Sequence, residues 1–148
     1  MHKKILLPID NSEASQKAGE YAISSADITG ADIIVLHVID TYYLEALPQL
    51  DLREKLEKEF KKEGKEAVQK FEKKIEDEQC AGNCKNINLI SMIKEGKPDD
   101  VILKTAGELG VDHIVMGKTG KHRLEKFLVG STTERVVRRA EVPVNVIS

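Results

Sequence analysis

Residues 117–133 combine glycine, hydroxyl and cationic side chains, the residue types found in phosphate-binding sites. Gly117 and Gly120 can take positive φ angles, which would let main-chain N–H groups turn toward an anion. Gly130 directly precedes a predicted helix, whose first turn carries free N–H groups and about half a unit of positive charge. The accompanying polar side chains are Ser131, Thr132, Thr133, Lys118, Lys121, His122 and Arg123. This combination predicts that the segment binds phosphate groups.

Each of these features also has an ordinary structural explanation. A Gly-x-x-Gly pair usually forms a turn, a Gly-Ser-Thr sequence usually caps a helix, and basic residues in a loop are usually solvated. Their occurrence together, directly after a predicted buried strand, favours phosphate binding. Two other phosphate motifs are excluded, because a P-loop would need its first glycine at Asp112 and no Gly-x-Gly-x-x-Gly follows the first strand.

The rest of the chain alternates between apolar runs and amphipathic segments. Strands are predicted over residues 4–9, 33–39, 87–93, 112–116 and 142–147. Helices are predicted from Ser12 to Gly30, over 52–75, from Pro98 to Gly110 and over 131–140, with an irregular connection over 40–50. The run of β-branched residues over 33–39 is typical of a strand that is buried on both faces. Gly64 is expected to weaken the long helix by about 1 kcal/mol relative to alanine.

This alternation predicts a doubly wound parallel sheet in one domain over residues 1–148. Such sheets bind ligands beyond the carboxyl ends of their strands. Asp10 follows the first strand and Gly117 follows the fourth, so both are expected at that edge. Asp10 has a structural alternative, as a cap for the first helix or for its turn. Pro143 lacks an N–H group, so the fifth strand should lie at a sheet edge or begin there.

The composition argues against several other classes of protein. The 148 residues carry 23 Lys and Arg against 25 Asp and Glu, a net charge of −2, whereas general nucleic-acid binding requires a basic excess. No apolar run approaches the ~18 residues of a membrane span, and the N-terminal run is too short for a signal peptide. Cys80 and Cys84 lack a second pair of metal ligands, so we expect no metal site. A cytoplasmic protein without nucleic-acid or membrane partners is expected.

The glycine spacing Gly117-x2-Gly120-x9-Gly130-Ser131 resembles the ATP-binding signature of the universal stress protein family. The opening ILLPIDNS at residues 5–12, His37-Val38 and PVNV at residues 143–146 are also similar to that family. The similarity extends over essentially the whole chain, in the same order and spacing. The sequence departs from the family pattern at Asn11, where glycine is usual, and at Lys118, where serine, threonine or arginine is more usual.

The resemblance implies a single-domain Rossmann-like sandwich, with a five-stranded parallel sheet of order 3-2-1-4-5 and helices on both faces. It also implies an ATP site across the first and fourth strands, to which AMP or another adenine nucleotide is an alternative ligand. The implied nucleotide-binding residues are Pro8, Asp10, Val38, Met116, Gly117, Gly120, Gly130, Ser131 and Thr132. Members of the family commonly dimerise through the last strand, which implies a homodimer through residues 142–147.

Within that site, the resemblance assigns a part of the nucleotide to each residue. Pro8 and Asp10 would lie against adenine and ribose, and Val38 would contact the adenine. Gly117 and Gly120 would wrap the ribose and the inner phosphates. The outer phosphates, with Mg²⁺ or Mn²⁺ carried by the nucleotide, would be held by Gly130, Ser131 and Thr132.

Two functions are compatible with this site. The first is a regulatory ATP-binding module that acts as a homodimer in the stress response, and the second is a slow ATP hydrolase or phosphotransferase. Fast hydrolysis needs metal-binding carboxylates and a group that orients water, and only Asp10 and Glu95 are expected near the loops, which favours the module. A phospho-receiver domain is disfavoured, because Asn11 replaces the second acid of its acidic pair and the third strand ends in Lys94-Glu95-Gly96.

Overall fold

The strands form one parallel sheet in the order β3-β2-β1-β4-β5, which confirms the predicted order. The computed structural model describes residues 3–84, 86–119 and 129–148. The strands in these ranges are β1 (Lys4–Pro8), β2 (Asp32–Asp40), β3 (Leu89–Gly96), β4 (His113–Gly117) and β5 (Val144–Ile147). The helices are α1 (Glu13–Thr29), α2 (Thr41–Glu45), α3 (Leu50–Cys80), α4 (Pro98–Leu109) and α5 (Ser131–Arg139).

Helices cover both faces of the sheet, as predicted, because successive strand residues point to opposite sides. Ile5 and Leu7 of β1 pack in the core on the side of α1 and α3. Leu6, between them, packs in the core on the side of α4 and α5. All three side chains are fully buried, and each burial stabilises the fold by roughly 1.5–3 kcal/mol. The middle of β1, residues 5–7, is therefore apolar on both faces rather than alternating.

The helix ends follow the predicted capping residues. The Ser12 hydroxyl accepts a hydrogen bond from the Ser15 N–H at 3.1 Å, which starts α1. Gly30 at φ 75° and Gly110 at φ 61° end α1 and α4 in the left-handed region that favours glycine. Pro98 occupies the first turn of α4, where a missing N–H costs nothing.

The 31-residue helix α3 is amphipathic. Ala67, Phe71 and Ile75 are buried against the sheet, whereas the outer face carries i,i+4 ion pairs such as Glu57–Lys61. The helix continues through Gly64 without interruption. Within the described ranges, no helix is both long and apolar enough to cross a membrane.

Most strand boundaries and those of α3 and α5 differ from the predicted ones by one to five residues, and one helix was not predicted. The connection over 40–50 was expected to be irregular, but it contains α2, because the Asp40 carboxylate accepts a hydrogen bond from the Tyr43 N–H at 2.9 Å and caps a short helix. Strand β3 begins at Leu89 rather than at residue 87. The position of Pro143 agrees with the prediction, since β5 lies at the sheet edge and begins one residue later.

Candidate functional site

A cleft of about 690 Å³ lies at the carboxyl ends of β1, β2 and β4. Ligands of doubly wound sheets bind at this edge, and the volume suits a small-molecule site. The described residues that line it are 8–12, Ser15, 36–40, Tyr43, Phe60, Glu63, Pro98, Ile102, 116–117, Thr119 and 129–133. The cleft therefore extends from the end of β2, across β1, to the start of α5.

The loop between β1 and α1 is held by a chain of short hydrogen bonds. The Asp10 Oδ1 atom accepts from the Ser12 N–H at 2.8 Å, and the Asp10 N–H donates to the Ser15 hydroxyl at 2.9 Å. The Asp10 carboxylate thus uses one oxygen to fix its own loop, as the capping alternative predicted. Within the described ranges no hydrogen bond engages its second oxygen, and Asp10 lines the cleft.

His37 connects this loop to α3. Its Nδ1 atom lies 2.9 Å from the main-chain oxygen of Ile9, and since a carbonyl can only accept, Nδ1 carries the proton. The imidazole packs on Gly64, where an added Cβ would lie 2.6 Å from the His37 Cδ2 atom. Gly64 is therefore required for close approach of helix and ring. The Asn11 side-chain amide adds a longer contact of 3.5 Å to the Glu63 carbonyl oxygen.

The end of β4 packs tightly against the start of α1. A Cβ at Gly117 would lie 2.8 Å from the main-chain carbon of Ala14, so a side chain is excluded there. Gly117 does not adopt a positive φ, and the expectation that it does is wrong; its importance comes from packing. The buried Thr133 hydroxyl donates to the Gly117 carbonyl oxygen at 2.9 Å, which ties the first turn of α5 to β4.

The start of α5 faces the cleft with small residues. Gly130 has φ −62° and ψ 152°, and its N–H donates to the Lys118 carbonyl oxygen at 2.8 Å. The N–H groups of the next residues, Ser131 and Thr132, belong to the first helical turn and have no acceptor within the helix. Since both residues line the cleft, this nine-residue helix offers main-chain donors, two hydroxyls and the positive end of its dipole to an anion.

Part of the cleft lining is apolar and aromatic. Val38, Met116 and Ile102 contribute aliphatic surface, and Met116 is almost fully buried. Tyr43 and Phe60 stack on each other with ring centroids 6.1 Å apart and an interplanar angle of 29°. Such a surface can hold the flat face of a heterocyclic base.

Arg139 of α5 ties α5 to α4, the two helices that cover the same face of the sheet. Its guanidinium donates to Asp99 at 2.9 Å and to Asp100 at 2.7 Å, at the start of α4. The hydrogen bond from Arg139 lowers the pKa of the Asp100 carboxyl, and the same contact raises the pKa of Arg139. Pro98 and Ile102 of α4 line the cleft, so this ion pair helps to fix the cleft wall.

Of the nine sequence-predicted site residues, those within the described ranges all line this cleft: Pro8, Asp10, Val38, Met116, Gly117, Gly130, Ser131 and Thr132. Gly120 lies outside the described residues, as do Lys121, His122 and Arg123. Lys118, another candidate phosphate contact, is not among the described lining residues. His37 is half-buried and lines the cleft.

Sequence reasoning missed several lining residues. Tyr43 and Phe60 are 17 positions apart, and nothing in the sequence brings them together. Thr119, which no sequence argument singled out, is buried at the cleft. Among the described residues, no cluster of three or more His, Cys, Asp or Glu side chains could hold a metal ion.

Comparison with known proteins agrees with the fold described above. The sequence model of the universal stress protein family matches residues 1–148. Universal stress protein MJ0531 of Methanocaldococcus jannaschii is 34% identical over 147 residues, which cover 99% of this chain and 82% of that protein. The structure of MJ0577, from the same organism, has a TM-score of 0.79 at 31% identity and covers 99% of this chain and 96% of that one.

A universal stress protein from Archaeoglobus fulgidus, solved in complex with dAMP, also shares the architecture. Its TM-score is 0.67 at 21% identity, over 100% of this chain and 98% of that one. At that level of identity the similarity establishes the fold alone.

Proposed function

Because this chain belongs to the universal stress protein family, we propose that it is a regulatory module that binds an adenine nucleotide, with ATP as the expected ligand. One observation carries the proposal: a single cleft joins an apolar end at β2 to the N-terminus of α5. That arrangement matches the two halves of a nucleotide, a flat base and an anionic tail. The related protein from Archaeoglobus fulgidus binds dAMP, so an adenine nucleotide is compatible with this fold.

The proposed pose uses the cleft from end to end. The base lies against Pro8, Val38 and Met116, and the second carboxylate oxygen of Asp10 accepts a hydrogen bond from a ribose hydroxyl. The sugar and inner phosphates pass over Gly117, whose close packing on Ala14 of α1 fixes the end of β4 at the cleft. Gly120 is part of the proposed site by its place in the sequence pattern.

The outer phosphates rest on the start of α5. The N–H groups of Ser131 and Thr132 donate to phosphate oxygens, and the hydroxyls add further donors. Gly130 allows the phosphates to approach the main chain closely, because it carries no Cβ. The helix dipole contributes about 0.3–1 kcal/mol toward an anion at such an exposed position.

A divalent cation fits this site only as a companion of the nucleotide. The donors near the phosphate end are hydroxyls and main-chain N–H groups, and N–H groups repel a cation. A cluster of three metal-binding side chains is absent from the described residues. Mg²⁺ or Mn²⁺ would therefore be held by phosphate oxygens and water, with the hydroxyls of Ser131 and Thr132 as the candidate protein ligands.

Slow ATP hydrolysis is the alternative activity of the same site. Asp10, Asp40 and Glu63 bring carboxylates to the cleft, but Asp10 and Asp40 each use one oxygen as a local cap. Turnover well above background that is lost in Asp10→Ala would establish this alternative, measured as phosphate release. We expect background turnover instead.

We further propose that the chain is cytoplasmic, forms a homodimer through residues 142–147 and acts in the stress response. β5 forms one edge of the sheet, and Val146 on it is 37% exposed. An open edge with apolar side chains invites pairing with another strand. A second copy of β5 would cover both the main chain and these side chains.

The proposal is tested by measuring thermal unfolding with and without nucleotide. Millimolar Mg-ATP should raise the melting temperature, since a ligand at one hundred times its Kd stabilises the folded state by about 2.7 kcal/mol. AMP should raise it less, because it does not reach α5. The absence of a shift with every adenine nucleotide would contradict the proposal, and mass spectrometry of copurified ligand would separate ATP from AMP.

A further inference from the structure

The base end of the cleft carries an aromatic pair that no family motif assigns. Tyr43 comes from α2 and Phe60 from α3, and both rings line the cleft. The whole chain contains three Tyr, three Phe and no Trp, so a third of its aromatic residues meet at this one place. Tyr43 is 50% exposed, so its ring is not simply part of the core.

Two anchors hold the aromatic pair in position. The Asp40 carboxylate caps α2 through the Tyr43 N–H at 2.9 Å, which fixes Tyr43 directly after β2. The Arg53 guanidinium donates to the Leu47 carbonyl oxygen at 2.7 Å and to that of Glu45 at 3.3 Å. These bonds fasten the connection between α2 and α3, so the two rings face the cleft from a supported surface.

The sheet order locates this pair relative to the phosphate end. β2 lies on one side of β1, and β4, which leads toward α5, lies on the other. A nucleotide with its phosphates at the start of α5 therefore has its base toward β2, where the rings stand. Base stacking on aromatic side chains is favourable for every base and strongest for the larger purine surface.

We propose that Tyr43 and Phe60 form a stacking surface for the nucleobase, and that this surface makes the site prefer purine nucleotides. The inference rests on the proposed nucleotide site and adds a determinant of base specificity to it. The neighbouring Tyr42 provides a contrast. It is 63% exposed, it is not among the described lining residues, and its ring lies 4.9 Å from the Lys97 ammonium.

The test measures ATP and CTP affinity by titration calorimetry for the wild-type chain, Tyr43→Ala, Tyr43→Phe and Phe60→Leu. Tyr43→Ala should weaken ATP about tenfold and CTP less, so the ATP to CTP preference should fall. Tyr43→Phe should keep wild-type affinity because the ring remains. Phe60→Leu, which keeps apolar volume, should show a smaller loss for ATP. Tyr42→Ala is the matched control and should bind both nucleotides as the wild type does.

The outcomes separate this inference from the function on which it rests. If folded Tyr43→Ala binds ATP with wild-type affinity, the stacking surface alone is overturned. The same holds if Tyr43→Ala loses affinity for ATP and CTP equally. A wild-type chain that binds no adenine nucleotide would overturn the proposed function and this inference together.

Discussion

The Nδ1 atom of His37 lies 2.9 Å from the main-chain oxygen of Ile9, while the same imidazole ring packs on Gly64 of α3. This contact joins three elements at the candidate site: the end of β2, the loop that carries Asp10, and the long charged helix. The position of α3 and the geometry of the loop between β1 and α1 are therefore coupled through one side chain.

Substitution of Gly64 tests this coupling. In Gly64→Ala the new Cβ would lie 2.6 Å from the His37 Cδ2 atom, and relief of the overlap must displace the ring or the helix. We expect the free energy of unfolding to fall by about 1–2 kcal/mol, although alanine is the better helix former, and ATP affinity to fall with it. Urea unfolding and calorimetry measure both.

Gly107→Ala in α4 is the matched control, because among the described residues no atom beyond its own helix backbone and chain neighbours lies within 4 Å of the added Cβ. It should stabilise the chain by about 0.5–1 kcal/mol through helix propensity. Equal stability gains in both variants would show that ring and helix are not in tight contact.

Gly117→Ala should disturb the candidate site where the end of β4 packs on α1. The added Cβ would meet the main chain of Ala14 at 2.8 Å, and a main chain cannot rotate away as a flexible side chain can. We expect a loss of about 1–3 kcal/mol in the free energy of unfolding and a weaker affinity for ATP. A variant with wild-type stability in urea would contradict the described packing of β4 on α1.

The differences between prediction and structure have a common physical origin. Ser12, Gly30, Pro98 and Gly110 act through their own backbone, so local sequence predicted the helix ends. The functions of Gly64 and Gly117 depend on partners far away in the chain, and no local pattern reveals them. The candidate site residues near strand ends could be predicted because topology brings those ends together, whereas the Tyr43–Phe60 pair depends on how α2 and α3 pack.

The short helix α2 was missed for a related reason. It has only five residues, too few for a hydrophobic period to be recognised, and its start depends on a single carboxylate cap. The sequence places Asp40 at the start of an irregular connection, and residues that cap helices are of the same types as residues that form loops.

His113 should make stability depend on pH. Burial lowers the pKa of His113, with Lys3 acting in the same direction and Asp112 against it. As pH falls through the ordinary value of about 6.5, the unfolded chain takes up the proton before the folded one does. The free energy of unfolding should therefore decrease from pH 7.5 to pH 5.

The contribution of His113 should stay below about 1 kcal/mol, because the side chain is only partly buried. Urea unfolding of wild type and His113→Gln at the two pH values isolates it from the carboxylates. If the wild type loses no more free energy of unfolding than His113→Gln between pH 7.5 and pH 5, His113 is not the source of the pH dependence.

Val146→Lys tests the proposed dimer edge. A lysine on β5 would place a like charge on both sides of a two-fold contact, so the variant should be monomeric while the wild type is dimeric. Size-exclusion chromatography with light scattering measures the mass. Ile28→Lys on α1, where the native side chain is 84% exposed, is the control and should remain dimeric. A monomeric wild type would contradict the proposed homodimer.

The central claim, that a phosphate tail binds at the first turn of α5, is tested most directly by calorimetric titration of Mg-ATP into wild type and Gly130→Val. Valine accepts the φ of −62° and ψ of 152° found at Gly130, so the variant should fold, but its side chain blocks the approach of the phosphates. We predict ATP binding by the wild type and a loss of at least about a hundredfold, or ~2.7 kcal/mol, in the variant. A folded Gly130→Val with wild-type affinity would contradict the account.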